Sequence, residues 1–207
     1  VSNPTANPSV TTTYTLTATN QNNGCSANST TVVTVDTQAP LANAGPDVEI
    51  SCNQNNTGVN IGMNAVNGIN YSWTPATGLS ATNIASPLAT PTVTTPYTLI
   101  ATNPTNGCSS TDFVTVTVNT ALPVANAGAD LTIQCNQNPA GNTIGAAPLT
   151  GHSYVWSPAL GLSDPNIANP SAFPPTTTTY TVTVTNNATG CSNTDQVVVT
   201  VNNTPPS

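Results

Sequence analysis

The side chains suited to covalent or metal chemistry in this 207-residue chain are few: five cysteines, one histidine and seven carboxylates, with no lysine or arginine. Cys52 and Cys108 stand 56 positions apart, and so do Cys135 and Cys191. Thiols so spaced can oxidise to disulfides, ligate a metal, or stay free and buried. Metal ligation fits poorly, because no C-x-x-C pair occurs and His152 is the single histidine. The expectation is one disulfide per pair, Cys52–Cys108 and Cys135–Cys191, with buried free thiols as the alternative. Each bridge would contribute about 4 kcal/mol in the chain-entropy model and would imply an oxidising, extracellular setting. Cys25 finds no partner at this spacing, since its counterpart would fall before Val1. Truncation of a unit leaves it unpaired, or a neighbouring chain supplies the missing half by strand complementation.

His152 has no evident Ser or Cys nucleophile beside it and reads as a surface residue. The carboxylates are Asp36, Asp47, Glu49, Asp112, Asp130, Asp164 and Asp195. Asp47 recurs as Asp130 and Asp112 as Asp195, each 83 positions on. These four are weak calcium candidates, lying near loops rich in carbonyl and Asn oxygen. No dense D-x-D-x-D run accompanies them, and turn capping is the plainer role. With no phosphate-cradling Gly loop either, the sequence predicts no catalytic residues, no cofactor, no resident metal and no enzyme.

The elements that would carry these residues follow from composition and from a repeat. Charged residues make up 3% and hydrophobic residues 37% of the chain, with a net charge of −7. The expectation is no nucleic-acid partner and no membrane insertion, and an anionic membrane surface is disfavoured, because phosphate neutralisation needs basic side chains. No apolar run reaches the roughly 18 residues that insert in a membrane as a helix. Forty Thr and 29 Asn fill one third of the chain, and 19 Pro and 13 Gly punctuate it. Thr favours strands and Asn favours turns, so the chain should be all-β.

Tyr14, Tyr97 and Tyr180 are spaced by 83, as are Cys25, Cys108 and Cys191. Trp73 and Trp156, and Leu79 and Leu162, keep the same spacing without a gap. An ungapped period of this length marks tandem units. Residues 1–36 read as the C-terminal half of a unit, 40–120 and 123–203 as complete units, and 204–207 as the start of a linker to a further repeat. Short junctions ending in Pro40 and Pro123 should hold successive units in a fixed relation.

Within the last unit, Tyr180-Thr-Val-Thr-Val-Thr185 and Asp195-Gln-Val-Val-Val-Thr-Val201 alternate with period two, as half-buried antiparallel strands do. Tyr180, Val182, Val184, Val197, Val199 and Val201 are expected to face a core, with Tyr97, Leu99, Ala101, Val114, Val116 and Val118 as counterparts. Asp130–Cys135 and Ser153–Ser157 read as earlier strands. Six or seven short strands per unit predict tandem immunoglobulin-like Greek-key β-sandwiches, one per 83-residue repeat. Trp73 and Trp156 occupy the strand position where such sandwiches pack a Trp on an inter-sheet disulfide, and Tyr14, Tyr97 and Tyr180 the tyrosine-corner position. Tyr71 and Tyr154 should share the Trp face, which leaves no evident aromatic platform for sugars.

The motifs Tyr154-Val-Trp-Ser-Pro158, Gly161-Leu-Ser163, Thr176-Thr-Thr-Thr-Tyr-Thr-Val-Thr-Val184, Gly190-Cys191 and Asp195–Val201 form a familiar set. The middle unit repeats them through Tyr71-Ser-Trp-Thr-Pro75, Gly78-Leu-Ser80, Tyr97, Gly107-Cys108 and Asp112. Together they resemble the immunoglobulin-like or PKD-like tandem repeats of large secreted Bacteroidota adhesins, of the gliding-motility type exported by the type IX system. The total lack of Lys and Arg departs from that pattern. The resemblance implies a cell-surface or extracellular location and a structural or adhesive role in a stalk or filament, with self-association or neighbouring copies as partners. A ligand-binding module for a surface glycan or protein, carried by the variable segments Asn53–Asn67 and Asn136–Thr150, is the alternative reading. Without Lys or Arg, no trypsin-type site exists, and without Lys sheet edges lack their usual guard.

Overall fold

A computed structural model describes residues 3–134 and 141–202; Cys135, residues 136–140 and residues 203–207 lie outside the described residues. Fourteen strands occur among the described residues and no helix. A leading hairpin joins β1 (Thr12–Thr19) to β2 (Ser26–Val33). The next repeat holds β3 (Val48–Ser51), β4 (Val59–Asn60), β5 (Asn70–Thr74), β6 (Leu88–Ala89), β7 (Thr95–Thr102) and β8 (Ser109–Asn119). The last holds β9 (Leu131–Gln134), β10 (Asn142–Thr143), β11 (His152–Ser157), β12 (Ser171–Ala172), β13 (Thr178–Asn186) and β14 (Ser192–Asn202).

Each complete repeat is a sandwich of a four-stranded and a two-stranded sheet. The large sheets run β3-β8-β7-β5 and β9-β14-β13-β11, and the small ones pair β4 with β6 and β10 with β12. All pairings are antiparallel except two: β3 lies parallel to β8, and β9 parallel to β14. This is the immunoglobulin-like Greek key, in which the first strand of a unit lies beside its last. The parallel pairing sets Ser51 opposite Asn119, so β3 ends at the same pole of the unit as β8.

Alternation along β7 and β13 puts Tyr97, Leu99 and Ala101, and Tyr180, Val182 and Val184, into two separate cores. Val114, Val116, Val197 and Val199 meet them from the paired strands, while Val118 and Val201 are half-buried near the strand ends. Burying each such side chain stabilises by about 1.5–3 kcal/mol. Trp73 and Trp156 fill the space between sheets, their indole N–H groups donating to Ile84 O and Ile167 O at 2.9 Å. Glycine is required beneath them: a Cβ on Gly62 would lie 2.1 Å from Ala85 O and 2.9 Å from the Trp73 ring, and Gly145 repeats both distances at Ala168 and Trp156. Among the described residues no disulfide adjoins either indole, contrary to the expectation from the sequence, because the bridge that forms lies at a pole and not between sheets.

Tyr97 and Tyr180 each donate a 2.7 Å hydrogen bond to a carbonyl 20 residues earlier, Thr77 O and Leu160 O. Both phenols are fully buried. Burial pushes both above the ordinary tyrosine pKa, with a bond to Thr95 partly opposing it at Tyr97. Tyr14 is exposed. Tyr71 and Tyr154 are half-buried against the cores, and their hydroxyls accept the N–H of Val66 and Leu149 at 2.8 and 2.6 Å.

Candidate functional site: the junction between successive units

The polarity of two strands decides which cysteines can meet. Cys52 follows β3 at the pole where β8 ends, whereas Cys108 precedes β8 at the opposite pole. Eleven extended residues, about 36 Å at 3.3 Å each, separate those poles, far beyond the roughly 7 Å Cα limit for a disulfide. The expected Cys52–Cys108 bridge is therefore replaced by another. Cys191 opens β14 at the near pole of the next repeat, and it bonds Cys52 across 139 residues with the Cα atoms 4.9 Å apart. Cys191 is thus not available to Cys135. Cys108 and Cys25 are free thiols, half-buried and exposed respectively.

Packing around the bridge is close. The Asn53 N–H donates to Thr189 O at 3.1 Å across the junction, and Cys191 Sγ lies 3.9 Å from Asn119 O. A Cβ on Gly190 would sit 2.5 Å from Asn53 Cβ, so the bare glycine backbone admits the neighbouring unit. On the Cys52 side, Ser51 N bonds Gln54 O at 2.8 Å, the Ser51 hydroxyl bonds Asn53 Oδ1 at 2.9 Å, and the Asn55 amide donates to Glu49 O at 2.8 Å. Ser51, Thr189 and Cys191 are all buried. The two complete repeats are consequently joined twice, by the peptide through Asn119–Pro123 and by the disulfide.

The repeated carboxylates act inside each unit. Asp112 and Asp195 accept the N–H of Ala44 and Ala127 at 2.8 Å. Asp47 and Asp130 accept the N–H of Thr115 and Val198 at 2.7 and 2.8 Å. Four carboxylates thereby clasp the leading segment of each unit to its last strand. Ser110 adds two bonds, accepting from Ala42 N and donating to Pro40 O, and the Asn193 amide reaches Pro123 O at 3.1 Å. Among the described residues no three His, Cys, Asp or Glu side chains gather as a metal site. Asp36 and Asp164 accept N–H groups two residues on, from Gln38 and Asn166. His152 is half-buried on β11 with Nδ1 2.9 Å from Thr150 O. The chemistry this arrangement carries out is covalent cross-linking of neighbouring units.

Sequence reasoning had the right residue type and the wrong partner. A spacing of 56 and one of 139 are both compatible with the same 83-residue register; only the parallel pairing of β3 with β8 tells them apart.

No protein-family model matches the chain, and no curated protein matches it. Solved structures of similar chain arrangement include mouse clustered PcdhgC3 EC1-3 at 13% identity and TM-score 0.47, covering 93% of this chain and 77% of that one. Drosophila N-cadherin EC1-4 follows at 15% and 0.40, with 94% and 58% covered. An I-band fragment of titin stands at 12% and 0.41, with 77% and 63% covered. At such identities and TM-scores the likeness brings no ligand, partner or role with it.

Proposed function

We propose that this chain is a segment of an extracellular structural or adhesive array on a bacterial surface, whose repeating segments are residues 40–120 and 123–203. Residues 1–36 are, in this reading, the C-terminal half of a like segment. The observation that carries it is the Cys52–Cys191 disulfide. A bond of this kind persists in an oxidising compartment, and its position makes the junction, where tandem domains ordinarily hinge, the doubly tied part. The motif resemblance to secreted Bacteroidota adhesins supports the same setting, with neighbouring copies in a stalk or filament as partners.

Pulling the chain from its two ends in single-molecule force measurements tests this. Reductant should release the 139 residues between Cys52 and Cys191, a contour gain of roughly 460–500 Å at 3.3–3.6 Å per residue. In-unit bridges would release two shorter lengths instead. Equal contours with and without reductant would end the proposal.

A further inference from the structure

The turn that presents Cys191 occurs three times. In Asn20–Cys25, Asn103–Cys108 and Asn186–Cys191 the first Asn N–H donates to the cysteine carbonyl at 2.8, 2.9 and 2.9 Å. The glycine N–H returns to the Asn carbonyl at 2.8 Å each time, and the Asn side chain accepts the N–H two residues on at 2.9 Å each time. Gly24, Gly107 and Gly190 hold φ of 75, 74 and 69°. Positive φ suits glycine, which lacks the Cβ that makes this region costly. Three turns of one backbone pattern present three cysteines at the head of the last strand of each repeat; the cysteine N–H meets Asn23 Oδ1, Asn106 Oδ1 and Thr189 Oγ1 in turn, and one of the three cysteines is bonded. Over Gly190 sits Asn53 of the preceding unit; over Gly107 nothing stands within 4 Å.

We propose that Cys108 is the receiving half of the same inter-unit disulfide, bonding the counterpart of Cys52 in a unit that precedes it in register. The inference rests on the array reading above. The step is thiol–disulfide exchange with a small-molecule or protein disulfide as oxidant: the two cysteines lose two protons and two electrons, an S–S bond forms between them, and the oxidant is reduced to two thiols. Every junction of an oxidised array then carries a staple.

The staples create covalent routes that bypass the sandwiches. The chain from Cys25 to Cys52 runs through β2, residues 34–47 and β3, and the disulfide then leads to Cys191, two repeats beyond Cys25. This route spans at most about 90–100 Å, against about 550–600 Å for the unbridged chain from Cys25 to Cys191. β2 and β3 are already extended, and residues 34–47 supply whatever slack the route has. A second route, displaced by one unit, begins at Cys108. Two interleaved cables of this kind would cap an array's extension at that contour even where a sandwich opened.

Placing a second copy of residues 40–83 ahead of Val1 continues the register without a gap. The added cysteine then precedes Cys108 by the same separation that Cys52 keeps from Cys191. The extended chain and the 207-residue chain are folded in a glutathione redox buffer, alkylated without reduction, digested with aspartate- and aromatic-directed proteases, and mapped by mass spectrometry. The expected result is loss of Cys108 alkylation and a peptide linking it to the added cysteine, with Cys25 alkylated in both chains. Changing the added cysteine to serine should restore Cys108 alkylation while retaining the Cys52–Cys191 peptide, which reports that the extension is compatible with folding. Cys108 alkylated in all three chains, with Cys52–Cys191 intact, overturns this inference alone. Absence of Cys52–Cys191 from the 207-residue chain, or a Cys52–Cys108 link, overturns the array reading along with it.

Discussion

The same hairpin appears in this chain in two settings. β1–β2 and β7–β8 share the register, the six-residue turn and the Tyr-x-Leu alternation. In β7–β8 the inward residues Tyr97 and Leu99 are 0% and 1% exposed, because β4, β6 and the Trp73 layer cover them. In β1–β2 their counterparts Tyr14 and Leu16 are 38% and 69% exposed. Backbone pairing and alternation are properties of the hairpin itself. Burial, and with it the energy that alternation represents, belongs to the second sheet. A strand pattern thus states which face would be covered and leaves open whether anything covers it.

Truncating the inward leucines gives the largest test of that contrast. Leu99→Ala should destabilise by about 2–5 kcal/mol, as buried leucines do, while Leu16→Ala should stay within about 0.5 kcal/mol, as exposed sites do. Hydrogen exchange of the β1–β2 and β7–β8 amides, read hairpin by hairpin, checks both; equal losses of protection would show that β1–β2 packs as tightly as its counterpart.

Next in size is the junction turn. Gly190→Ala and Gly107→Ala share the cost of a side chain at positive φ, about 1–2 kcal/mol. Only the first also drives a Cβ into Asn53. The fraction of Cys52–Cys191 bridge formed in glutathione buffer should fall several-fold in Gly190→Ala and hold steady in Gly107→Ala. Equal behaviour would dissociate the bridge from the glycine contact.

The smallest effect concerns the tyrosine corner. Tyr97→Phe removes the bond to Thr77 O and should cost about 1 kcal/mol, whereas Tyr14→Phe should cost nothing measurable. Because burial raises the Tyr97 and Tyr180 pKa values above 10.0, the folded state favours the neutral phenols. Their contribution is present in full below the unfolded-state value and is lost as pH rises through the folded values. Alkaline unfolding, followed by circular dichroism, should accordingly weaken in Tyr97→Phe.

The legible part of the structure was local or periodic. Tyr180, Val182 and Val184 announce their buried face by alternation, and Trp156 and Tyr180 their depth by size and position. The 83-residue register requires no coordinates, since it is an identity of the chain with itself. Asp112 and Asp195 were legible as systematic residues, but their role was not, because each reaches an N–H 68 positions away and no local pattern encodes that contact.

Composition and periodicity by themselves determined an all-β chain of repeated sandwiches, its inward faces, and cysteine oxidation as its available chemistry. The choice of partner for Cys52 was made only by tertiary structure. Parallel pairing of the first strand with the last carries Cys52 to the pole remote from Cys108, and stacking of the next repeat brings Cys191 to it. A disulfide forms between neighbours in space, and which pole a residue occupies is a consequence of strand direction, a property that spacing along the chain does not contain.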